Sequence, residues 1–332
     1  MKPLLKTLTE IVSPSGHENA IREVVQNLVK PHADEVRVDA LGNLIVRKGK
    51  AAKNGKRIML AAHLDEIGLM VSHVDANGFA RFTALGGFQP ARRVGTRVQF
   101  LNGVRGVIGL EHPSHQNERM PAMEKFFVDT GATSAKDVPV KVGDVAVFDS
   151  GFAEMGSRLV SKAFDDRVGV AILIETLRTL KSSPHEVYFV FTVQEEVGVR
   201  GAGPAAYGLE PEIGLAIDVT TAHDQPQGPD RNLIRLGAGP AVKVKDSLMV
   251  ADPSLVEGLT RLAGKNRIPL QREVAEGIST DARAIQITGM GARASGICIP
   301  LRNLHSPSEM LDIRDVENSI KLLNVFLRAA DI

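Results

Sequence analysis

Tryptophan is absent from this 332-residue chain, and tyrosine occurs only twice. A surface that stacks sugars or bases would therefore have to rest on phenylalanine and histidine. A single cysteine, Cys298, rules out an intrachain disulfide and fits a reducing compartment, so a cytoplasmic location is expected. The formal net charge is only +1 and no long block of like charge occurs, so no nucleic-acid partner is expected. No apolar run reaches the ~18 residues that a membrane helix needs, and no membrane partner is expected. The opening MKPLLKTLTE is broken by Lys6 and Glu10 before a signal-peptide core can form. No GxGxxG follows a strand, so no nucleotide site is expected.

What is present is ample apolar material, 43% of residues, in a chain long enough for one large α/β domain or two domains. Residues 17–30 read as an amphipathic helix with Ile21, Val24, Val25, Leu28 and Val29 on one face, stopped by Pro31. Glu35 to Gly49 reads as two strands around a Leu41-Gly42-Asn43 turn, and Arg57 to Val71 opens with a buried-strand run. From about Val71 to Asp149 short β-type runs alternate with Gly, Asn and Pro, as in a small barrel or sandwich. After Asp165 helix and strand patterns alternate again: a helix over Asp165 to Leu180, strands at EVYFVFTV, GLAIDV and ASGICI, and helices over Pro253 to Lys265 and Asp315 to Arg328. The expected fold is therefore α/β, a mainly parallel sheet flanked by helices, interrupted by a small all-β barrel-like insert. The expected boundaries are 1–68 with 161–332 for the discontinuous α/β part and 69–160 for the insert.

Polar residues fall where the apolar strands stop. IMLAA runs into His63 and Asp65, VYFVFTV into Glu195 and Glu196, GLAI into Asp218, and ASGICIP leads to His305. Asp165 sits just before a helix. In open α/β sheets ligands bind beyond the carboxyl ends of strands. Two divalent ions, three ligating carboxylates (Asp165, Glu196, Asp218), a bridging hydroxide and neutral His63 and His305 close to zero net charge, which makes burial tolerable. Imidazole and carboxylate donors without thiolate suit zinc, cobalt or manganese. Asp65, two residues past His63, is placed to hold the imidazole N–H. Glu195 is placed to act as general base beside Glu196.

Each residue alone also has an ordinary explanation. Glu195-Glu196 fits a solvated turn, Asp165-Asp166 an N-cap pair, Asp65 a cap, and His305 a loop histidine. His17, His73, His112 and His115 read as surface or structural, and Gly86-Gly87, Gly198 and Gly201 as turn residues. Only the coincidence of all the strand ends favours a site.

The motifs HLDEIG (63–68), VDTGA (128–132), AFDDRVG (163–169), VQEEVGVRGA (193–202), AIDVT (216–220), GPAVKVKD (239–246), STDA (279–282) and LHSPSE (304–309) occur in this order. Together they resemble the M42 family of di-metal tetrahedral (TET) aminopeptidases over nearly the whole chain. The resemblance implies an exopeptidase that removes N-terminal residues from short peptides. It implies that His63, Asp165 and Asp218 bind one ion and Asp165, Glu196 and His305 the other, with Asp165 bridging, Glu195 as general base and Asp65 behind the ligands. It implies that the insert is a dimerisation domain and that dimers assemble into a hollow dodecamer. Asp166 stands where many members of that family have asparagine. By the same analogy the specificity pocket includes Gly277 to Asp281; a neutral, leucine-like first residue is expected, with Arg283 nearby as the one hint of an acidic preference. The alternatives are a glycoside hydrolase using two carboxylates, disfavoured by the missing aromatics, and a non-catalytic shell subunit.

Overall fold

The computed structural model describes residues 1–90, 93–111, 121–226 and 234–331. Two helices open the chain, α1 (Lys2–Glu10) and α2 (Asn19–Val29), the second burying Ile21, Val25 and Val29. Strands β1 (Glu35–Val38) and β2 (Leu44–Lys48) form an antiparallel hairpin. Its turn is built by Asp39, whose Oδ1 accepts the N–H groups of Leu41, Gly42 and Asn43 at 3.0 Å each. β3 (Arg57–His63) follows and is buried along both faces. Ile58, Leu60 and Ala62 join one apolar cluster and Met59 and Ala61 another, so the period of two feeds two opposite helix layers.

Past His63 the chain leaves this sheet for six strands: β4 (Gly68–Val74), β5 (Ala80–Leu85), β6 (Arg97–Phe100), β7 (Arg105–Leu110), β8 (Phe126–Asp129) and β9 (Val145–Phe148). They close as a barrel in the order β4-β5-β8-β7-β6-β9, which leaves no open edge among them. Leu69, Phe82, Phe88, Val98, Phe100 and Phe126 belong to its own apolar cluster, distinct from those of the main sheet. β10 (Ala153–Met155) and β11 (Arg158–Ser161) lie outside the barrel and belong to a separate three-stranded sheet.

The α/β part resumes with α3 (Phe164–Thr179), β12 (Glu186–Thr192), α4 (Ala202–Leu209), β13 (Ile213–Thr221), β14 (Ala241–Lys245), α5 (Pro253–Lys265), β15 (Gln271–Val274), α6 (Asp281–Gln286), β16 (Arg293–Leu301), β17 (Glu309–Asp312) and α7 (Ile313–Arg328). β17 pairs with β11. The main sheet runs β1-β2-β12-β3-β13-β16-β14-β15 among the described residues. Its centre, β12, β3, β13 and β16, is parallel, while β2 joins β12 and β14 joins β16 antiparallel. Residues of α1, α2, α3, α5 and α7 pack on one face, and those of α4 and α6 on the other. The parallel centre brings the ends of β3, β12 and β13 to one rim, with His63 level with Thr192. No helix among the described residues is long and apolar enough to cross a membrane.

Candidate metal centre

The rim of the α/β part gathers side chains around Asp165. Its Oδ1 lies 3.0 Å from Nε2 of His63 and its Oδ2 lies 3.1 Å from Nε2 of His305. One carboxylate thus offers a separate oxygen to each of two histidines. His305 Nε2 is also 3.3 Å from Oε1 of Glu196. Glu196 Oε1 is buried yet makes no hydrogen bond, so the imidazole beside it is not aligned to donate. The ligand atoms of His63, Asp165 and Glu196 lie within 4.8 Å of one another, as do those of His63, Asp166 and Asp218. A cavity of about 310 Å³ opens here, lined by His63, Asp165, Glu195, Glu196, Asp218, Ser279 and His305 among others; Asp166 does not line it.

Asp65 does more than the sequence suggests. His63 Nδ1 is 3.0 Å from the Asp65 backbone carbonyl and 3.5 Å from its Oδ1. The carboxylate accepts the backbone N–H groups of Glu195 (3.0 Å) and Glu196 (3.2 Å) and the Ser15 hydroxyl at 2.6 Å. One buried acid therefore fixes both the end of β3 and the turn that presents the paired glutamates. Gly198, at φ +120°, lets that turn fold back, and Asn43 clamps it by accepting from Val193 N–H and donating to the Gly201 carbonyl, both at 3.0 Å.

Asp166 is buried and already engaged: Oδ1 accepts from Gly169 N–H at 3.0 Å and Oδ2 from His63 N–H at 3.2 Å. It ties the start of the regular part of α3 to the end of β3. The N-cap reading thus fits Asp166, while Asp165 turns its carboxylate toward the two histidines.

The electrostatics of the cluster follow from crowding acids where water is scarce. Burial, reinforced by neighbouring carboxylates, pushes Glu195 well up, Glu196 up and Asp218 up to about 7. Burial also raises Asp281 to about 6 and Glu309 to about 8. Asp165 behaves oppositely: burial would raise it, but His305 and His63 outweigh burial and hold it far below the usual carboxylate range. Burial likewise opposes charge on His305, yet Glu196 and Asp165 raise it to about 11. So many carboxylates in one dry pocket need positive charge to be stable as anions. Imidazole nitrogens and carboxylate oxygens, with the orphaned Glu196 Oε1 among them, fit a divalent cation. Cys298 is buried level with Asp218 on the adjacent strand, and it is not among the clustered ligands.

Three supports escaped the sequence reading. Glu309, buried on β17, accepts Asp165 N–H at 3.1 Å with one oxygen and His305 N–H at 2.9 Å with the other. Gly87, from the barrel side, sits so close that an added Cβ would lie 2.2 Å from Nδ1 of His305; it is a close-approach glycine rather than a mere turn residue. Arg93 donates to the His305 carbonyl at 2.8 Å. The only advance signal for Glu309 was its place inside the LHSPSE motif. His112 and His115 lie outside the described residues. His73 is exposed on β4, and His17 is half-buried.

Glu309→Gln keeps the shape but replaces one acceptor by an N–H₂ facing a backbone N–H. Metal affinity at the His305 side is expected to fall ~10–100-fold, the usual cost of losing a partner that orients ligands. Titration calorimetry on the metal-stripped protein checks this. Unchanged affinity would show that Glu309 serves the fold alone.

Histidines and carboxylates collected at one rim of a mainly parallel sheet, with no thiolate among the clustered ligands, form a candidate metal centre on an α/β fold. The chain belongs to the M42 glutamyl aminopeptidase family, whose profile matches residues 42–322. It is 36% identical to the lysyl aminopeptidase of Pyrococcus furiosus over 98% of this chain and 96% of that protein. A solved aminopeptidase of the archaeon Desulfurococcus kamchatkensis shares 41% identity, with a TM-score of 0.94 over 98% of this chain and 94% of that one. The TET1 peptidase of Pyrococcus horikoshii, which can assemble into a tetrahedron or a large octahedral shell, shares 32% identity at a TM-score of 0.87, over 98% and 99%. A structure from Thermotoga maritima titled as an endoglucanase is also similar, with 32% identity and a TM-score of 0.82 over 98% and 96%.

Proposed function

We propose that this chain is a metal-dependent aminopeptidase that removes N-terminal residues from short peptides. The observation that carries the reading is Asp165, one oxygen toward His63 and the other toward His305. His63, Asp165 and Asp218 would hold one divalent ion and Asp165, Glu196 and His305 a second, zinc or cobalt by donor type. Bound there, two such ions supply Lewis acidity for the scissile carbonyl and make water a usable nucleophile near neutral pH. Glu195 takes the proton from the attacking water and returns it to the leaving amine. Asp65 keeps the Glu195 backbone in place and orients His63. Asp166 and Glu309 fix the loops that carry the remaining ligands.

The reading extends to organisation. Residues 1–68 and 161–332 form the catalytic domain and 69–160 the inserted domain, through which subunits pair before assembling into a dodecamer. The tetrahedral assembly of the similar TET1 peptidase supports the higher-order assembly alone. The protein acts in the cytoplasm, in keeping with its single cysteine.

A panel of aminoacyl p-nitroanilides on metal-stripped protein, refilled with Zn²⁺, Co²⁺ or Mn²⁺, tests the proposal. Hydrolysis is expected only after refilling, with two ions per subunit at saturation. Chelator-resistant cleavage of a β-glucan would instead support the glycosidase name carried by one similar structure. That reading leaves both histidines without work and has no tryptophan for sugar stacking. A folded protein that takes up no metal would mark a non-catalytic shell subunit.

A further inference from the structure

Glu66 and Arg167 belong to the HLDEIG and AFDDRVG motifs, yet none of the roles above uses them. Both are buried, at 3% and 0% exposure, and so is Lys162, at 3%. Three charged side chains are stable out of water only when each finds a partner. Lys162 Nζ donates to both oxygens of Glu66, at 2.9 and 2.7 Å, and reaches no other acceptor among the described residues. Arg167 donates to Glu66 Oε1 at 3.4 Å and to the backbone carbonyls of Leu8, Ile11 and Ser13. The Ser13 N–H adds a bond to Glu66 Oε1 at 3.2 Å. Every partner of the Glu66 carboxylate is therefore a donor, as that group requires.

The cluster brackets Asp165. Lys162 precedes it and Arg167 follows it, so one carboxylate on the stretch after β3 grips both sides of the segment that carries it. Between Lys162 and Asp165 the chain turns sharply. Ala163 is held at φ +55°, a left-handed backbone that alanine keeps only where its surroundings impose it. On the near side of this turn β11 ends at Ser161, level with Glu309 on β17. On the far side the Asp165 N–H is bonded to that same Glu309. The stretch from His63 to Glu66 is thus joined to the stretch from Lys162 to Arg167 twice: by Asp166, which accepts the His63 N–H, and by Glu66, which accepts from Lys162 and Arg167.

We infer that Lys162 is a positioning residue of the metal centre: its bond to Glu66 holds the left-handed turn at Ala163 and so aims the Asp165 carboxylate between His63 and His305. The inference rests on the reading of this cluster as a metal centre. Lys162 does not line the metal cavity, so its effect passes through the backbone that carries Asp165. The pair also joins the point where the chain leaves for the barrel to the point where it returns from β11, since Ile67, next to Glu66, already belongs to the barrel's apolar cluster.

The test follows Co²⁺ binding to metal-stripped protein, by calorimetry and by the visible absorption of the bound ion, which reports the geometry of its ligands. Lys162→Met keeps the length of the side chain and removes its three donors. Affinity for the more weakly held ion is expected to fall about tenfold, the lower end of what losing an orienting partner costs, and the cobalt spectrum should change. Lys162→Arg, which still offers Glu66 a charged donor, should recover most of the affinity and the wild-type spectrum. If Lys162→Met does not fold, the double variant Glu66→Met/Lys162→Met carries the test, because replacing a buried ion pair whole is often neutral for stability. The same loss of affinity is expected of it. A folded variant that binds cobalt with wild-type affinity and spectrum, whatever its melting temperature, overturns the positioning role and leaves a structural one. Failure of the double variant to fold does the same. Wild-type protein that takes up no cobalt overturns the metal-centre reading and the inference with it.

Discussion

Glu195→Gln is expected to lower kcat by ~10²–10⁴-fold while KM and metal content stay close to wild type. The substitution removes the capacity to take a proton and little else. The Glu195 backbone N–H is held by Asp65, so the turn does not depend on the side chain's charge. Glu195 lines the same cavity but is not one of the residues proposed to hold an ion, so its loss should not release one. Steady-state kinetics on a saturated substrate, paired with elemental analysis of the same preparation, separates the outcomes. Full activity would remove Glu195 from the chemistry. Loss of metal together with rate would make it a ligand instead of a base.

Asp165→Asn should be more damaging, because one residue serves both sides of the centre. An amide keeps the volume but turns one of its two arms into a donor. That arm would then face His63 or His305, each now 3.0–3.1 Å from a carboxylate oxygen. Bound metal is expected to fall from two ions per subunit to one or none, and kcat/KM by more than ~10³-fold. The fold should survive, since Glu309 holds the Asp165 backbone N–H and the change relieves a buried charge. Elemental analysis and far-UV circular dichroism read these two expectations independently. Two ions still bound with wild-type affinity would disprove the bridging role.

These substitutions could be chosen because much of the site is written locally. IMLAAH and GLAID are continuous apolar runs that reach a metal-type donor; they form β3, which ends at His63, and β13, which runs three residues past Asp218 to Thr221, each buried on both faces. The change of texture between Val71 and Asp149 marks the stretch that holds the six barrel strands. Other elements carry no comparable signal. α4 spans AGPAAYGL, with glycine and proline inside, and α6 has only 6 residues; both form because the sheet's second face needs cover. No helix is expected from sequence at α1, whose Leu5 and Leu8 nonetheless pack into the main core.

The division runs along the range of the forces involved. Side-chain chemistry and strand periodicity belong to neighbouring residues, so the sequence alone specified which groups can bind a cation and that His63 closes an apolar strand, while Asp218 turned out to lie within β13. The sequence also specified, through the single cysteine, that no intrachain disulfide forms. The tertiary structure decided what each oxygen faces. Only packing of β17 against β11 brings Glu309 beneath both Asp165 and His305. Only the return of the barrel onto the rim sets Gly87 against an imidazole. Hydrogen bonds and close contacts act over a few ångströms, and residues distant along the chain come within that range only when the whole fold has closed.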